Sequence, residues 1–231
     1  MSVDSFVQVV EAIAKLLGAL AWPSAFVIVA LWFAPQVREI LGREKVSLTG
    51  PAGVGLIAER LPADQRQKVA DDLAVAERKP GSTGESTDVV RRTVEAAAED
   101  PRFGRMAGAQ VLWVDDHPEN NESEQRALER VGIRVDHAFT TNQALSILGH
   151  TAYDLIISDL GRSVPGSEED EDAGLTLIKS MKDRDFRTPV IIYAGPRALA
   201  RRDELLEAGA SEVTNGPTAL FTLVSDALLA R

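Results

Sequence analysis

Short apolar segments alternate with helical segments throughout the C-terminal half of the chain. The segments that read as strands are QVLWV (110–114), RVDHAF (134–139), DLIISD (154–159), PVIIYA (189–194) and SEVT (211–214). Helices are predicted near 121–131, 141–149, 174–184, 197–208 and 217–230. Strands that alternate with helices form a parallel sheet covered on both faces, with right-handed crossovers. The pattern therefore predicts an α/β fold with a doubly wound parallel sheet.

Composition excludes several classes of function. The 231 residues include no cysteine, which rules out disulfides, thiolate zinc sites, cysteine nucleophiles and iron–sulfur clusters. The formal net charge is -10, and residues 111–231 hold 12 basic against 21 acidic groups, or -9 of that total. A chain this acidic lacks the basic surface that dominates affinity for nucleic acids. No nucleic-acid partner is expected.

An uncharged apolar run, LLGALAWPSAFVIVALWFAPQV, occupies residues 16–37. As a helix it would extend about 33 Å, close to the thickness of a bilayer core. We predict a single-pass transmembrane helix here, preceded by an N-terminal segment at 1–15, with a signal peptide or a buried core helix as alternatives. Arg38, Arg43 and Lys45 follow the run and a single lysine precedes it closely, which places the C-terminal part in the cytoplasm. A single span also permits a homodimer.

Residues 38–109 show no recognisable chemistry and are predicted to be a juxtamembrane and helical linker. Apolar positions indicate one amphipathic helix at about 62–79. GSTGES (81–86) reads as a flexible break, and a second helix is expected after it, with Ser86 or Thr87 as its N-cap. We expect a linker or a small helical hairpin, and self-association is a further role that such a hairpin could serve.

Three aspartates stand at the ends of two predicted strands. Asp115 and Asp116 follow the first strand, and Asp159 ends the third. Sites in parallel sheets lie beyond the carboxyl ends of the strands, so these side chains should converge. Carboxylates that close raise one another's pKa unless a cation neutralises them, and Mg²⁺ prefers oxygen ligands. A carboxylate beside such an ion can attack a phosphoryl group. The alternative is that one or two of the aspartates only cap helices.

The same blocks, in the same order, resemble the receiver domain of two-component response regulators. They are VLWVDD, DLIISDL, PVIIYA and GASEVTNGP. The resemblance covers residues 110–231, about half of the chain, and implies a flavodoxin-like (βα)5 fold, similar to the chemotaxis regulators, with strand order 2-1-3-4-5. It implies a signalling protein rather than an enzyme, with Asp159 as phospho-acceptor and a histidine kinase or phosphotransfer protein as partner. Mg²⁺ would be held by Asp115, Asp116, Asp159 and the carbonyl of Gly161.

Two positions depart from the family. Ala194 stands where the fourth strand usually ends in threonine or serine, and Gly216 stands where a lysine usually follows the fifth strand. Candidates that could replace the missing lysine are Asn215, Thr214, Arg162 and Arg197. We therefore expect a membrane-anchored receiver protein that accepts a phosphoryl group on Asp159 with Mg²⁺. A pseudo-receiver that signals by binding or oligomerisation without phosphorylation is the alternative, and a hydrolase on the same scaffold would need a nucleophile and base that the sequence does not show.

The loop GRSVPGSEEDEDA (161–173) is longer than the connection that the family usually has after the third strand. It contains five consecutive acidic residues, 168–172. A solvated loop is one interpretation. A cation-sensitive lid or a docking segment near the site is the other.

Overall fold

The computed structural model describes residues 61–163 and 170–230. Five strands form one sheet in the order β2-β1-β3-β4-β5, and every neighbouring pair is parallel. The strands are β1 Gln110–Val114, β2 Arg134–Ala138, β3 Leu155–Ser158, β4 Val190–Tyr193 and β5 Glu212–Thr214. The prediction of a doubly wound α/β sheet with the order 2-1-3-4-5 is confirmed.

Eight α-helices surround this sheet in the described part of the chain. They are α1 Ala63–Ala76, α2 Thr87–Glu99, α3 Glu122–Arg130, α4 Thr141–Leu148, α5 Ala173–Asp183, α6 Pro196–Ala200, α7 Arg202–Ala208 and α8 Pro217–Leu229. Short 3₁₀ turns lie at Phe103–Met106 and Pro118–Asn121. The helix expected at 197–208 is divided into α6 and α7, because Arg201 leaves helical backbone angles (φ -110°, ψ 16°).

Side chains from the strands enter two cores, one on each face of the sheet. Successive residues of a strand point to opposite faces, so Trp113 and Ile157 lie in one core while Leu112 and Ile156 lie in the other. Helices α4, α5 and α7 cover the second core, and α3 and α8 cover the first. Strands buried on both faces read as continuous apolar runs, which is why the sequence identifies them well.

Helices α1 and α2 form a hairpin, residues 63–99, that packs on the first core. Leu73 and Val90 are at most 1% exposed and belong to the same buried cluster as Trp113 and Phe221. Ser86 is the N-cap of α2, since its side chain accepts a hydrogen bond from the amide of Val89. The two helices expected in the linker are therefore present and contribute to the hydrophobic core. The domain boundaries at 15, 37 and 109 stay predictions.

The predicted single-pass membrane localisation is contradicted. Among the residues that the structure describes, no helix combines the length and the apolar character needed to cross a bilayer. The longest, α1, has 14 residues, which corresponds to about 21 Å at the helical rise and falls short of a bilayer core. The predicted span itself, 16–37, lies outside the described residues, as does the segment 1–15.

Candidate functional site

The three aspartates lie together at the carboxyl edge of the sheet. β1 and β3 are neighbours, with Val114 paired to Ser158, so the residues that follow these strands emerge side by side. Carboxylate oxygens of Asp115, Asp116 and Asp159 all lie within 4.8 Å of one another. Gly161 lines the same cavity, which has a volume of about 530 Å³.

Hydrogen bonds fix the carboxylates that follow β1. The amide of His117 donates to Asp115 Oδ1 at 2.7 Å, and Asn121 Nδ2 donates to Asp115 Oδ2 at 2.6 Å. The amide of Ser163, in the loop after β3, donates to Asp116 Oδ2 at 2.8 Å. Burial raises the pKa of Asp115, and the charge of Asp116 adds to this increase. A carboxylate pair held in this way favours the binding of a cation.

Asp159 has one carboxyl oxygen engaged and one available. Its own next amide, at Leu160, donates to Oδ1 at 2.6 Å. Within the described residues, no donor contacts Oδ2. Burial raises the pKa of Asp159 to about 6, and the charge of Asp115 acts in the same direction. The available oxygen therefore belongs to a carboxylate whose charge is poorly solvated.

The donor set fits a divalent, oxygen-preferring cation. In the described part of the chain, neither lysine nor arginine forms an ion pair with the three aspartates, and the nearest basic atom is His117 Nε2, 3.6 Å from Asp116 Oδ2. All the ligand atoms that converge are carboxylate oxygens, and Gly161 lies at the cavity wall. These are ligands that Mg²⁺ accepts.

Arg162 lies beneath the site and does not enter the cavity. It is 2% exposed, and its Nη1 donates to the carbonyls of Asp159 (3.0 Å) and Val114 (3.3 Å) and to Ser158 Oγ (2.8 Å). Its Nη2 donates to Thr141 Oγ1 at 3.0 Å. The side chain thus holds the ends of β1 and β3 in place through backbone and hydroxyl oxygens.

The other candidates for the missing lysine are also engaged elsewhere. Arg197 Nη2 lies 3.3 Å from Glu171 Oε2 on the surface. Asn215 lines the cavity, but its Nδ2 donates to the carbonyl of Gly81 at 2.8 Å. Thr214 Oγ1 is buried and accepts from the amide of Gly216 at 3.1 Å.

The acidic loop after β3 is closed at its base by backbone hydrogen bonds. Arg162 and Asp170 exchange two of them, at 2.9 and 2.8 Å. Residues 164–169 lie outside the described residues. Among the acids that are described, Glu171 pairs with Arg197, and Asp172 pairs with Arg201. These two carboxylates therefore bind basic residues near α6, and the lid and docking interpretations stay predictions.

The loop between α1 and α2 forms one wall of the cavity, which the sequence did not indicate. Lys79 Nζ donates to Glu124 Oε2 at 2.6 Å and to the carbonyl of Asn120 at 2.5 Å. Tyr193 donates its hydroxyl to the other oxygen of Glu124 at 2.8 Å, and its ring meets Trp113 edge-on, with centroids 6.0 Å apart. The sequence hinted at this wall only indirectly, because the glycine at position 216 leaves space beside the site for another segment.

Glu77 attaches this loop to the start of α8. It is 4% exposed, and its Oε1 accepts from the amide and the hydroxyl of Thr218 at 3.0 and 2.6 Å. Its Oε2 accepts from Thr83 Oγ1 and the amide of Glu85 at 2.9 and 3.1 Å. Burial by itself raises the pKa of Glu77, but these hydrogen bonds outweigh it and the pKa falls below its ordinary value. Glu77 thus serves α8 as a capping carboxylate supplied by a distant segment.

Gly216 makes room for the hairpin. A Cβ at this position would lie 2.7 Å from Thr83 Oγ1, closer than side chains tolerate. The space that the family's lysine would need at this position is therefore occupied by Thr83, from the loop of the hairpin. Ala194 also lines the cavity, and its methyl side chain offers no hydroxyl there.

Comparisons with known proteins agree on the C-terminal half. Residues 111–225 match the family model described as response regulator receiver domain. The transcriptional regulatory protein PmrA of Pectobacterium parmentieri is 30% identical over 113 residues, which make up 49% of this chain and 48% of that protein. The chain thus spans about half the length of this curated relative.

Solved structures of receiver domains are also similar. The receiver domain of the Francisella response regulator 1452 is 24% identical, with a TM-score of 0.45, over 52% of this chain and 97% of that one. The signal receiver domain of a histidine kinase from Syntrophus aciditrophicus is 29% identical, with a TM-score of 0.43, over 53% of this chain and 92% of that one. The sheet order and the family match lead to one conclusion: residues 111–225 of this chain form a response regulator receiver domain.

Proposed function

We propose that this chain is a receiver protein of a phosphorelay and that Asp159 accepts the phosphoryl group. The observation that carries the proposal is the available Oδ2 of Asp159, which belongs to a carboxyl at the cavity wall beside those of Asp115 and Asp116. A carboxylate with one oxygen fixed and the other open can act as a nucleophile.

In the proposed transfer of a phosphoryl group to Asp159, one bond to phosphorus forms and one breaks. Asp159 Oδ2 attacks phosphorus and forms a new oxygen–phosphorus bond, giving an acyl phosphate. The bond between phosphorus and the donor breaks, and the donor departs with the electron pair; with acetyl phosphate it departs as acetate. The amide of Leu160 keeps the carboxyl oriented. Mg²⁺, held by Asp115, Asp116, Asp159 and the carbonyl of Gly161, would offset the negative charge of the phosphoryl oxygens.

The natural donor would be a histidine kinase or a phosphotransfer protein, as the family membership of residues 111–225 suggests. The chain acts here as a signalling protein that is modified on its own carboxylate. The absence of a nucleic-acid partner and the homodimer stay predictions from the sequence.

Incubation of the full chain with Mg²⁺ and acetyl phosphate tests the proposal. Intact-mass measurement should show the addition of one phosphoryl group, lost in Asp159→Asn and when Mg²⁺ is chelated. Asp183→Asn is the matched control, since Asp183 is exposed at the end of α5, away from the cavity. Beryllofluoride binding, measured by calorimetry, gives a second readout that needs no leaving group.

The pseudo-receiver alternative predicts the opposite result. A chain that takes neither acetyl phosphate nor beryllofluoride, and binds Mg²⁺ no better than Asp159→Asn, would signal by binding alone. The complete set of three carboxylates and the open oxygen of Asp159 argue against that alternative.

A further inference from the structure

The cavity wall carries an excess of negative charge. The acidic residues that line it are Asp115, Asp116, Glu124 and Asp159, and among the described lining residues Lys79 is the only lysine or arginine. Phosphorylation would replace the single negative charge of Asp159 with about two on the phosphoryl group, so the cavity would gain about one further negative charge. One divalent cation does not balance this set, so a further positive donor at the cavity would stabilise the phosphorylated form.

Lys79 is held at the cavity with one donor to spare. An ammonium group has three N–H donors, and the described residues provide acceptors for two of them, Glu124 Oε2 and the carbonyl of Asn120. Glu124 is itself fixed, because its side chain is 1% exposed and its second oxygen accepts from Tyr193. The lysine is thus anchored by a buried carboxylate, and a third N–H is left for a ligand.

Arg162, the other basic side chain near the site, donates to groups outside the cavity. The Nη1 and Nη2 groups of Arg162 donate to the carbonyls of Asp159 and Val114 and to two hydroxyls. The position after β5 carries Gly216, and Thr83 fills the space that a side chain there would need. The hairpin that blocks this position is the same element that brings in Lys79.

We infer that Lys79, supplied by the α1–α2 hairpin, contacts the phosphoryl oxygens on Asp159 and completes the acceptor site. This inference rests on the proposed phosphorylation of Asp159. It makes residues 63–99 part of the site, and it explains how a receiver domain with glycine at position 216 can stabilise the charge of a phosphoryl group.

The test compares Lys79→Gln with the wild type as full chains. With saturating Mg²⁺, the affinity for beryllofluoride and the rate of phosphorylation by acetyl phosphate should fall about 10- to 100-fold, as expected for a lost hydrogen bond to a charged group. The affinity for Mg²⁺ alone should stay unchanged or increase, because a positive charge near three carboxylates has been removed. A general loss of structure would weaken both ligands together and would count against the inference. Lys68→Gln, an exposed change on α1, should alter neither.

A double variant distinguishes the loss of the Lys79 ammonium group from the effect of leaving Glu124 unpaired. Lys79→Gln leaves Glu124 buried without its ion-pair partner, whereas Lys79→Gln combined with Glu124→Gln removes both charges. Beryllofluoride affinity as weak in the double variant as in the single one supports the inference. Recovery to the wild-type affinity in the double variant overturns it.

The outcomes also distinguish failure of the role of Lys79 from failure of the proposed phosphorylation of Asp159. A wild-type chain that takes neither beryllofluoride nor a phosphoryl group overturns the proposed function itself. A wild-type chain that takes both, while Lys79→Gln and the double variant take them equally well, overturns only the role of Lys79.

Discussion

At the scale of single residues, the protonation of Asp159 connects the stability of the protein with its proposed chemistry. Burial and the charge of Asp115 both raise the pKa of Asp159, to about 6 from an ordinary 3.8. The folded state therefore binds this proton more tightly than the unfolded chain does. As the pH rises from about 4 through 6, the metal-free protein must ionise a carboxyl that it solvates poorly, and its free energy of unfolding falls across that range.

Replacement of Asp159 by asparagine should stabilise the metal-free protein at pH 7. The variant removes a charge that costs about 3 kcal/mol there, and a gain of about 1–3 kcal/mol in unfolding free energy is expected. Urea unfolding in the presence of a chelator measures it, and the difference between variant and wild type should shrink at pH 4. Saturating Mg²⁺ should stabilise the wild type more than the variant. A variant less stable than the wild type at pH 7 without metal would contradict this account.

At the scale of elements, the attachment of the hairpin to α8 depends on Glu77. Gly216 precedes α8 and offers no capping side chain, so the amide of Thr218 obtains its acceptor from Glu77, 141 positions away in the chain. The pKa of Glu77 is lowered whereas that of Asp159 is raised, so the two groups change the free energy of unfolding in opposite directions as the pH rises. The stability it contributes is present above its ordinary pKa of 4.5 and is lost as the pH falls through its lowered value.

Substitution of Glu77 by alanine should loosen the hairpin from the receiver domain. It leaves the buried amide of Thr218 without an acceptor, which costs about 1–3 kcal/mol. Hydrogen exchange followed by mass spectrometry should show faster exchange in the loop at 80–85 and at the start of α8. Glu95→Ala, on the exposed side of α2, is the control and should change neither region. Equal exchange in Glu77→Ala and the wild type would mean that the carboxylate does not hold these elements together.

The sequence predicted the elements better than it predicted their contacts. β3 and β4 read as apolar runs because both their faces are buried, and Asp115, Asp116 and Asp159 followed from where such strands end. The periodicity of α1 indicates an apolar side but not the surface that covers it. The bonds from Lys79 to Glu124 and from Asn215 to Gly81 join positions 45 and 134 residues apart, and no local pattern encodes such pairs. The contribution of the hairpin to the site was therefore invisible before the fold was known.

At the scale of the whole molecule, the first core is continuous from the hairpin to the sheet. Leu73 of α1 and Val94 of α2 share one buried cluster with Trp113 of β1 and Phe221 of α8. Elements that share a core of this kind tend to unfold together, because removal of one exposes the apolar surface of the others. The hairpin and the receiver domain should therefore behave as one cooperative unit.

Shortening Leu73 to alanine tests this cooperativity. Leu73 is 1% exposed, and loss of its side chain should lower the free energy of unfolding by about 2–5 kcal/mol through lost burial and the cavity left behind. If the unit is cooperative, hydrogen-exchange protection of the most protected amides in β1 and β3 should fall by the same amount as protection in α1. Leu199→Ala, on α6, where the leucine is 38% exposed, should have a much smaller effect. Loss of protection confined to α1 and α2, with β1 and β3 unchanged, would show that the hairpin folds on the sheet as a separate unit. The cavity at the three aspartates would then gain or lose that wall without unfolding of the sheet.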